Sequence, residues 1–191
     1  MAKQTMTKSE RRIRTAFIDL MEERGFYHIK VSEILERADV SRATFYANYE
    51  DKFHLVRTLR DELFDGLAKI IKQVRSGGRE SFLRSDKSSV NPAFVEYFRY
   101  VKQNERLWRI FITGKGESDF SEQLSRFFYR KISETQDIWE VDPELPKEHA
   151  AVLCSWAYVA LFSYWVTTGM KETPEEMAQT LAVFWHRFMS W

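Results

Sequence analysis

Apolar residues recur at helical spacing along almost the whole chain, and nowhere do they alternate in the period-two manner of a strand. Ile13, Ala16, Phe17, Leu20 and Met21 share one helical face, and Gly25 closes that run. A shorter stripe follows in Val31, Ile34, Leu35 and Ala38, after which Asp39 is placed to turn the chain through a left-handed conformation. Ser41 can N-cap a third, very short helix, and Asp51 a fourth whose stripe runs Val56, Leu59, Leu63, Leu67, Ile70 and Val74. This patterning restricts the chain to an all-α fold.

The stretch 76–92, with Gly77-Gly78, several serines and Pro92, interrupts the pattern and reads as a loop between helical blocks. Aromatic helices are expected beyond it over 94–103, 106–113 and about 118–139, and Asp142–Pro146 reads as a turn. Gly169 ends the penultimate helix. Thr173, Pro174 and Glu176 start the last one as a capping box with proline at the first helical position.

Charge narrows function less than its distribution does. The 191 residues carry a formal net charge of +1, so bulk charge does not argue for a nucleic-acid binder. The first fourteen residues hold Lys3, Lys8, Arg11, Arg12 and Arg14 against Glu10, a basic tip suited to an anionic surface or simply to a solvated helix start. The single cysteine, Cys154, cannot form an internal disulfide and reads as a buried, inert thiol. His28, His54, His149 and His186 are dispersed, and no metalloprotease, phosphate-loop or dinucleotide motif is present, so the expectation is no enzyme, no metal and no cofactor. No apolar leader is seen, and the apolar window 150–170 contains enough serine, threonine and tyrosine to read as a buried helix. A cytoplasmic protein is expected.

Two short helices joined by a three-residue turn behind a capped first helix make a helix-turn-helix, whose second helix enters the DNA major groove. GFYHIKVSEILERADVSRATFYANYEDKFHLV, within residues 9–60, resembles the DNA-binding region of the TetR family of bacterial transcriptional regulators. The resemblance rests on Gly25, Ile34, the Ala38-x-Val40-Ser41 turn, Phe45-Tyr46, Tyr49 and Lys52. It implies a DNA-binding domain over 1–52 and a helical regulatory and dimerisation domain over 53–191.

Arg42 and Thr44 stand on the opening turn of the recognition helix and are the expected base-reading residues, with Ala43 leaving room for close approach. The resemblance assigns phosphate contacts to Tyr46 and Lys52, and Ser41, Asn48 and Lys30 complete the expected DNA-binding set. Phe45 and Tyr49 are expected to pack. Lys30 stands where the family usually has Ser or Thr and cannot accept as an N-cap, and Asp39 replaces a common glycine, bringing a negative charge near the DNA face.

For the remainder, the resemblance implies a ligand site and a dimer. Tyr97, Tyr100, Trp108, Phe111, Phe127, Phe128 and Trp156 are the candidate pocket residues for an unknown small-molecule effector. Ala150, Cys154, Ala157, Leu181, Phe184 and Phe188 are the candidate contacts of a homodimer built from the last two helices. The function implied is a ligand-responsive repressor on a palindromic operator. The alternative is a helical ligand-binding or protein-interaction module with little DNA binding, motivated by Asp39 and the near-neutral charge.

Overall fold

The computed structural model describes residues 6–76, 90, 92–117, 119–134 and 144–188, the side chains of 74–76, 93 and 186–188 excepted. The expected loop over 76–92 and the stretch 135–143 therefore lie largely outside the described residues. The described residues are helical, with no strand among them. In chain order the helices are α1 (Lys8–Arg24), α2 (Val31–Ala38), α3 (Arg42–Tyr46), α4 (Lys52–Ser76), α5 (Pro92–Gln103), α6 (Glu105–Ile112), α7 (Phe120–Ser133), α8 (Lys147–Thr167) and α9 (Pro174–Phe188). A three-residue 3-10 turn, Phe26–His28, stands between α1 and α2.

The helices divide between two compact units. The first holds residues 1–62 together with Arg106–Phe120, and the second holds Leu63–Glu105 and Ser121–Trp191. The division falls within α4, between Glu62 and Leu63, and α6 from Arg106 onward belongs with the N-terminal helices. Ion pairs tie α6 to α1. Arg106 reaches Asp19 and Glu22 at 2.6 Å, and the amine of Lys115 donates to the Glu22 carbonyl. Glu22 is held below the usual carboxylate range, chiefly by its hydrogen bond from Arg106.

Local signals set the helix ends in the first unit. Thr7 caps α1 by accepting from the Glu10 N–H at 3.1 Å. Gly25 ends it with φ +79° and ψ 152°, a region that suits glycine and sends the chain away extended instead of coiling it further. The Phe26 N–H then meets the Lys115 carbonyl at 2.7 Å. Asp51 caps α4 by accepting from the His54 N–H at 2.6 Å.

The core of this unit is thin. Ile13, Phe17, Leu20 and Met21 of α1 are buried, as are Ile34, Phe45, Leu55, Val56 and Leu59. Trp108, Ile110, Phe111 and Phe120 are buried in the same unit, with Phe111 stacked on Phe120 at 4.8 Å.

The second unit is built on rings. Tyr97 and Phe98 of α5, Phe127 and Phe128 of α7, and Phe162 and Trp165 of α8 are all buried. Phe162 lies 5.2 Å from Tyr97 and Phe128 lies 4.7 Å from Tyr158, centroid to centroid. The Thr173 capping box forms as expected, Glu176 N–H donating to Thr173 Oγ1 at 3.2 Å and Thr173 N–H to Glu176 at 2.7 Å. α8 is long and apolar enough by length and composition to cross a membrane, yet Cys154, Val159, Phe162, Trp165 and Val166 are buried within the unit. Burial pushes the Cys154 thiol up to about 12, which leaves it protonated and unreactive at neutral pH.

Candidate nucleic-acid interface

The approach to α3 is set by two residues. Asp39 adopts φ 48° and ψ 56°, the left-handed conformation expected of it, and ends α2 by donating its N–H to Glu36 and Leu35 carbonyls. Two residues on, Ser41 caps α3, its Oγ accepting from the Thr44 N–H at 3.1 Å. The Thr44 hydroxyl lies 2.8 Å from the same Oγ, so these two side chains form one polar cap. Phe45 is fully buried beneath the helix. Anchored in that way, α3 leaves Arg42, Ala43 and Tyr46 exposed together, with Tyr46 49% exposed and Thr44 half-buried. A short helix with one buried aromatic and an exposed Arg-Ala-x-x-Tyr edge is built to present side chains outward.

The other expected contacts are placed less simply. Asn48 is half-buried, and its amide donates to the Thr44 carbonyl at 2.7 Å, which closes the end of α3. Lys30 is exposed and occupies the N-cap position of α2. Its ammonium accepts nothing, and Glu33 supplies the missing cap by accepting from the Lys30 N–H at 2.8 Å. That bond, together with Arg24, holds the Glu33 carboxylate below its ordinary range. Lys52 turns inward: its Nζ donates to the carbonyls of Phe26 and Tyr27 at 3.2 Å and of Ile29 at 2.8 Å.

The basic tip is also redistributed. Lys8 and Arg11 are exposed, Arg12 is paired with Asp39 at 2.5 Å, and Lys3 lies outside the described residues. Arg14 is buried. It donates to Tyr49 Oη at 2.8 Å, to Glu10 at 2.9 Å, and through both terminal nitrogens to Glu62 at 2.6 and 2.9 Å. Burial lowers the pKa of Arg14, and the hydrogen bonds to Glu62 and Tyr49 outweigh that, leaving it above the ordinary arginine value. Spacing along one helix could not disclose a group whose partners stand 35 and 48 positions away.

The expected pocket residues are divided between the two units. Tyr97, Tyr100, Phe127, Phe128 and Trp156 belong to the second unit, whereas Trp108 and Phe111 belong to the core of the first. Trp156 is 47% exposed on α8. The expected dimer contacts divide too. Ala150, Cys154 and Leu181 are buried in the chain's own fold, Ala157 is half-buried, Phe184 is exposed, and the side chain of Phe188 lies outside the described residues. Among the described residues no cluster of three metal-binding side chains occurs.

The model of bacterial regulatory proteins of the tetR family matches residues 13–59, and a second, for a TetR-type transcriptional regulator C-terminal region, matches residues 88–187. The chain belongs to the TetR family. Both models describe regulatory proteins, the second of them transcriptional regulators. A curated relative is the HTH-type transcriptional regulator YxbF of Bacillus subtilis (strain 168), 25% identical over 183 residues. The match covers 90% of this chain and 43% of that relative, so this TetR-family chain spans less than half of its length.

Solved structures share the fold. A TetR transcriptional regulator from Streptococcus agalactiae 2603V superposes with a TM-score of 0.67 at 19% identity, covering 95% of each chain. The dihydroxyacetone kinase operon activator DhaS gives 0.62 at 15% identity, covering 96% of this chain and 97% of its own.

Proposed function

We propose that this TetR-family regulator is a ligand-responsive repressor that binds a palindromic operator as a homodimer in the cytoplasm. The observation that carries the DNA-binding reading is the exposed edge of α3, held outward by buried Phe45 and by the Asp39–Ser41 turn. Arg42 and Thr44 read bases, Ala43 permits close approach, and Tyr46, Ser41, Asn48 and Lys30 contact the backbone. Occupying an operator that overlaps a promoter is sufficient to repress.

The dimer reading is supported by the outer side of α8. Val152, Leu153, Trp156 and Tyr164 are exposed at helical spacing, and Val183 and Phe184 are exposed on α9. A second copy of the same surface covers this apolar stripe and doubles the reading helices to match an operator's two half-sites.

The effector reading rests on the ring cluster of the second unit. Tyr97 is buried, and its hydroxyl has no hydrogen-bond partner among the described residues. Among those residues no basic side chain of that unit is buried, though one Glu172 carboxylate oxygen is, and an anionic ligand would need a buried cation. The effector is therefore read as an apolar or aromatic molecule that is not an anion and carries an acceptor for a phenol.

Footprinting on the DNA flanking the chain's own gene tests the proposal. A protected inverted repeat is expected, and Arg42→Ala should lose about 1–3 kcal/mol of discrimination at defined base pairs. Light scattering at micromolar concentration should give twice the 22.8 kDa chain mass. Absence of any protected repeat would leave the non-DNA-binding alternative.

A further inference from the structure

Lys52 is assigned to a DNA phosphate by resemblance, and its surroundings say otherwise. An ammonium has three N–H donors, and here all three lie within hydrogen-bond distance of backbone carbonyls, those of Phe26, Tyr27 and Ile29. The same Nζ sits 4.8 Å from the centre of the Phe26 ring and 5.5 Å from that of Phe53. Desolvation lowers the pKa of the group, as expected of an amine drawn off the surface.

The anchored segment matters for its place in the chain. Phe26–His28 joins α1 to α2, and Ile29 precedes Lys30, the N-cap of α2. The segment is pinned at its start by the Phe26 N–H on the Lys115 carbonyl at 2.7 Å. Its carbonyls at 26, 27 and 29 converge on Lys52, the first residue of α4. Swinging the ammonium out to a phosphate would strip these carbonyls of a charge-assisted donor, two of them part-buried.

We propose that Lys52 is a positioning residue and not a phosphate contact: its ammonium ties the Phe26–Ile29 segment to the start of α4 and so fixes where α2, and after it the reading helix α3, begin. The proposal rests on the DNA-binding reading only for its functional consequence. Neutralising a phosphate releases counterions, and removing one such contact from a duplex complex reduces the slope of log affinity against log salt by about 0.9. A tether releases none.

The test is Lys52→Met, which keeps an apolar stem and removes charge and donors. Its binding to a mixed-sequence DNA duplex is measured across salt concentrations, well below its melting temperature. The expected result is a lower melting temperature and an affinity reduced several-fold even where the variant is folded, with the salt slope unchanged. A slope smaller by about 0.9, an unchanged melting temperature, or wild-type affinity in the folded variant overturns the proposal.

Should the variant not fold or not bind, the lysine ammonium resonance of the wild-type protein decides. Protons protected from exchange in the free protein, and unshifted when the duplex is added, support the tether. Rapid exchange, or a shift on DNA addition, refutes it. If the wild-type protein binds no duplex, the DNA-binding reading fails, while melting and proton protection still decide whether Lys52 is a tether.

Discussion

In the first unit a guanidinium lies inside the fold, and its partners come from α1, from Tyr49 after α3 and from Glu62 of α4. In the second unit the buried polar groups among the described residues include the hydroxyls of Ser125, Ser155 and Tyr97, and the rest of the core is dominated by rings. The first unit adds a set of ion pairs from α1 to α2 and the turn behind it, Arg24–Glu33, Arg37–Glu23 and Arg12–Asp39. The second unit has Arg99–Glu175 joining α5 to α9, at the surface. Directional bonds fix the angle of one helix against another. Apolar burial is far less directional than an ion pair, so a core held by it can repack with less loss. A unit that must present α3 at a set angle gains from the first kind of core. A unit proposed to respond to a ligand gains from the second.

The largest effect is expected where the aromatic core is emptied. Phe162 is 1% exposed and packs against Tyr97, Phe98 and Phe128. Phe162→Ala should cost about 3–5 kcal/mol, read by urea denaturation. A loss below about 1 kcal/mol would mean that this core already tolerates a void of that size.

Arg14→Ala should cost somewhat less, about 2–3 kcal/mol, although it breaks more bonds. It leaves Tyr49 and Glu10 without their guanidinium, but Glu62 is about half exposed and recovers water. Amide hydrogen exchange should show the loosening at Tyr49 and Glu62 together. Loosening confined to α1 would show that the arginine does not couple these elements.

How far these two cores were legible in the sequence differs for a physical reason. The turn into α3 was readable, because Asp39 and Ser41 act on neighbours one to three residues away. Arg14, Lys52 and Arg12 were not, because a long side chain's direction is set by partners 23 to 48 positions distant. Nor did the sequence show α6 joining the first unit, since periodicity states which residues share a face and not which helix they meet. On α8 the pattern is apolar all round. It therefore could not distinguish Cys154, which faces the chain's own core, from Leu153 and Trp156, which do not.

A smaller effect with an inverted sign is expected at Gly66. In an open helix interior, Gly→Ala stabilises by about 0.5–1 kcal/mol. Here a Cβ would stand 2.1 Å from Tyr100 Oη and 2.2 Å from Cζ of the same ring, which donates to the Leu63 carbonyl at 3.2 Å. Overpacking of about 1–3 kcal/mol outweighs the helical gain, so Gly66→Ala should lower the melting temperature. A rise would mean that the Tyr100 ring swings aside at little cost, and that the second unit is looser than its ring contacts indicate.

The smallest effect on stability, and the sharpest on function, is expected at Asp39. Asparagine adopts the left-handed conformation nearly as readily, so Asp39→Asn changes charge with little backbone strain. The carboxylate side chain is 90% exposed, and its pair with Arg12 is worth little in water, so stability should change by no more than about 0.5 kcal/mol. DNA affinity should rise, because the substitution removes a negative charge beside the reading helix and frees Arg12 for phosphate. The gain should be largest at low salt and fade as the Debye length shortens. Arg12→Ala should weaken binding, and the double variant should show that most of the gain from Asp39→Asn required Arg12. If Asp39→Asn instead weakens binding, the carboxylate serves to aim Arg12 at the DNA. The pairs between α1, α2 and the turn would then act as a positioning frame, as the tie between Lys52 and the Phe26–Ile29 segment is proposed to do.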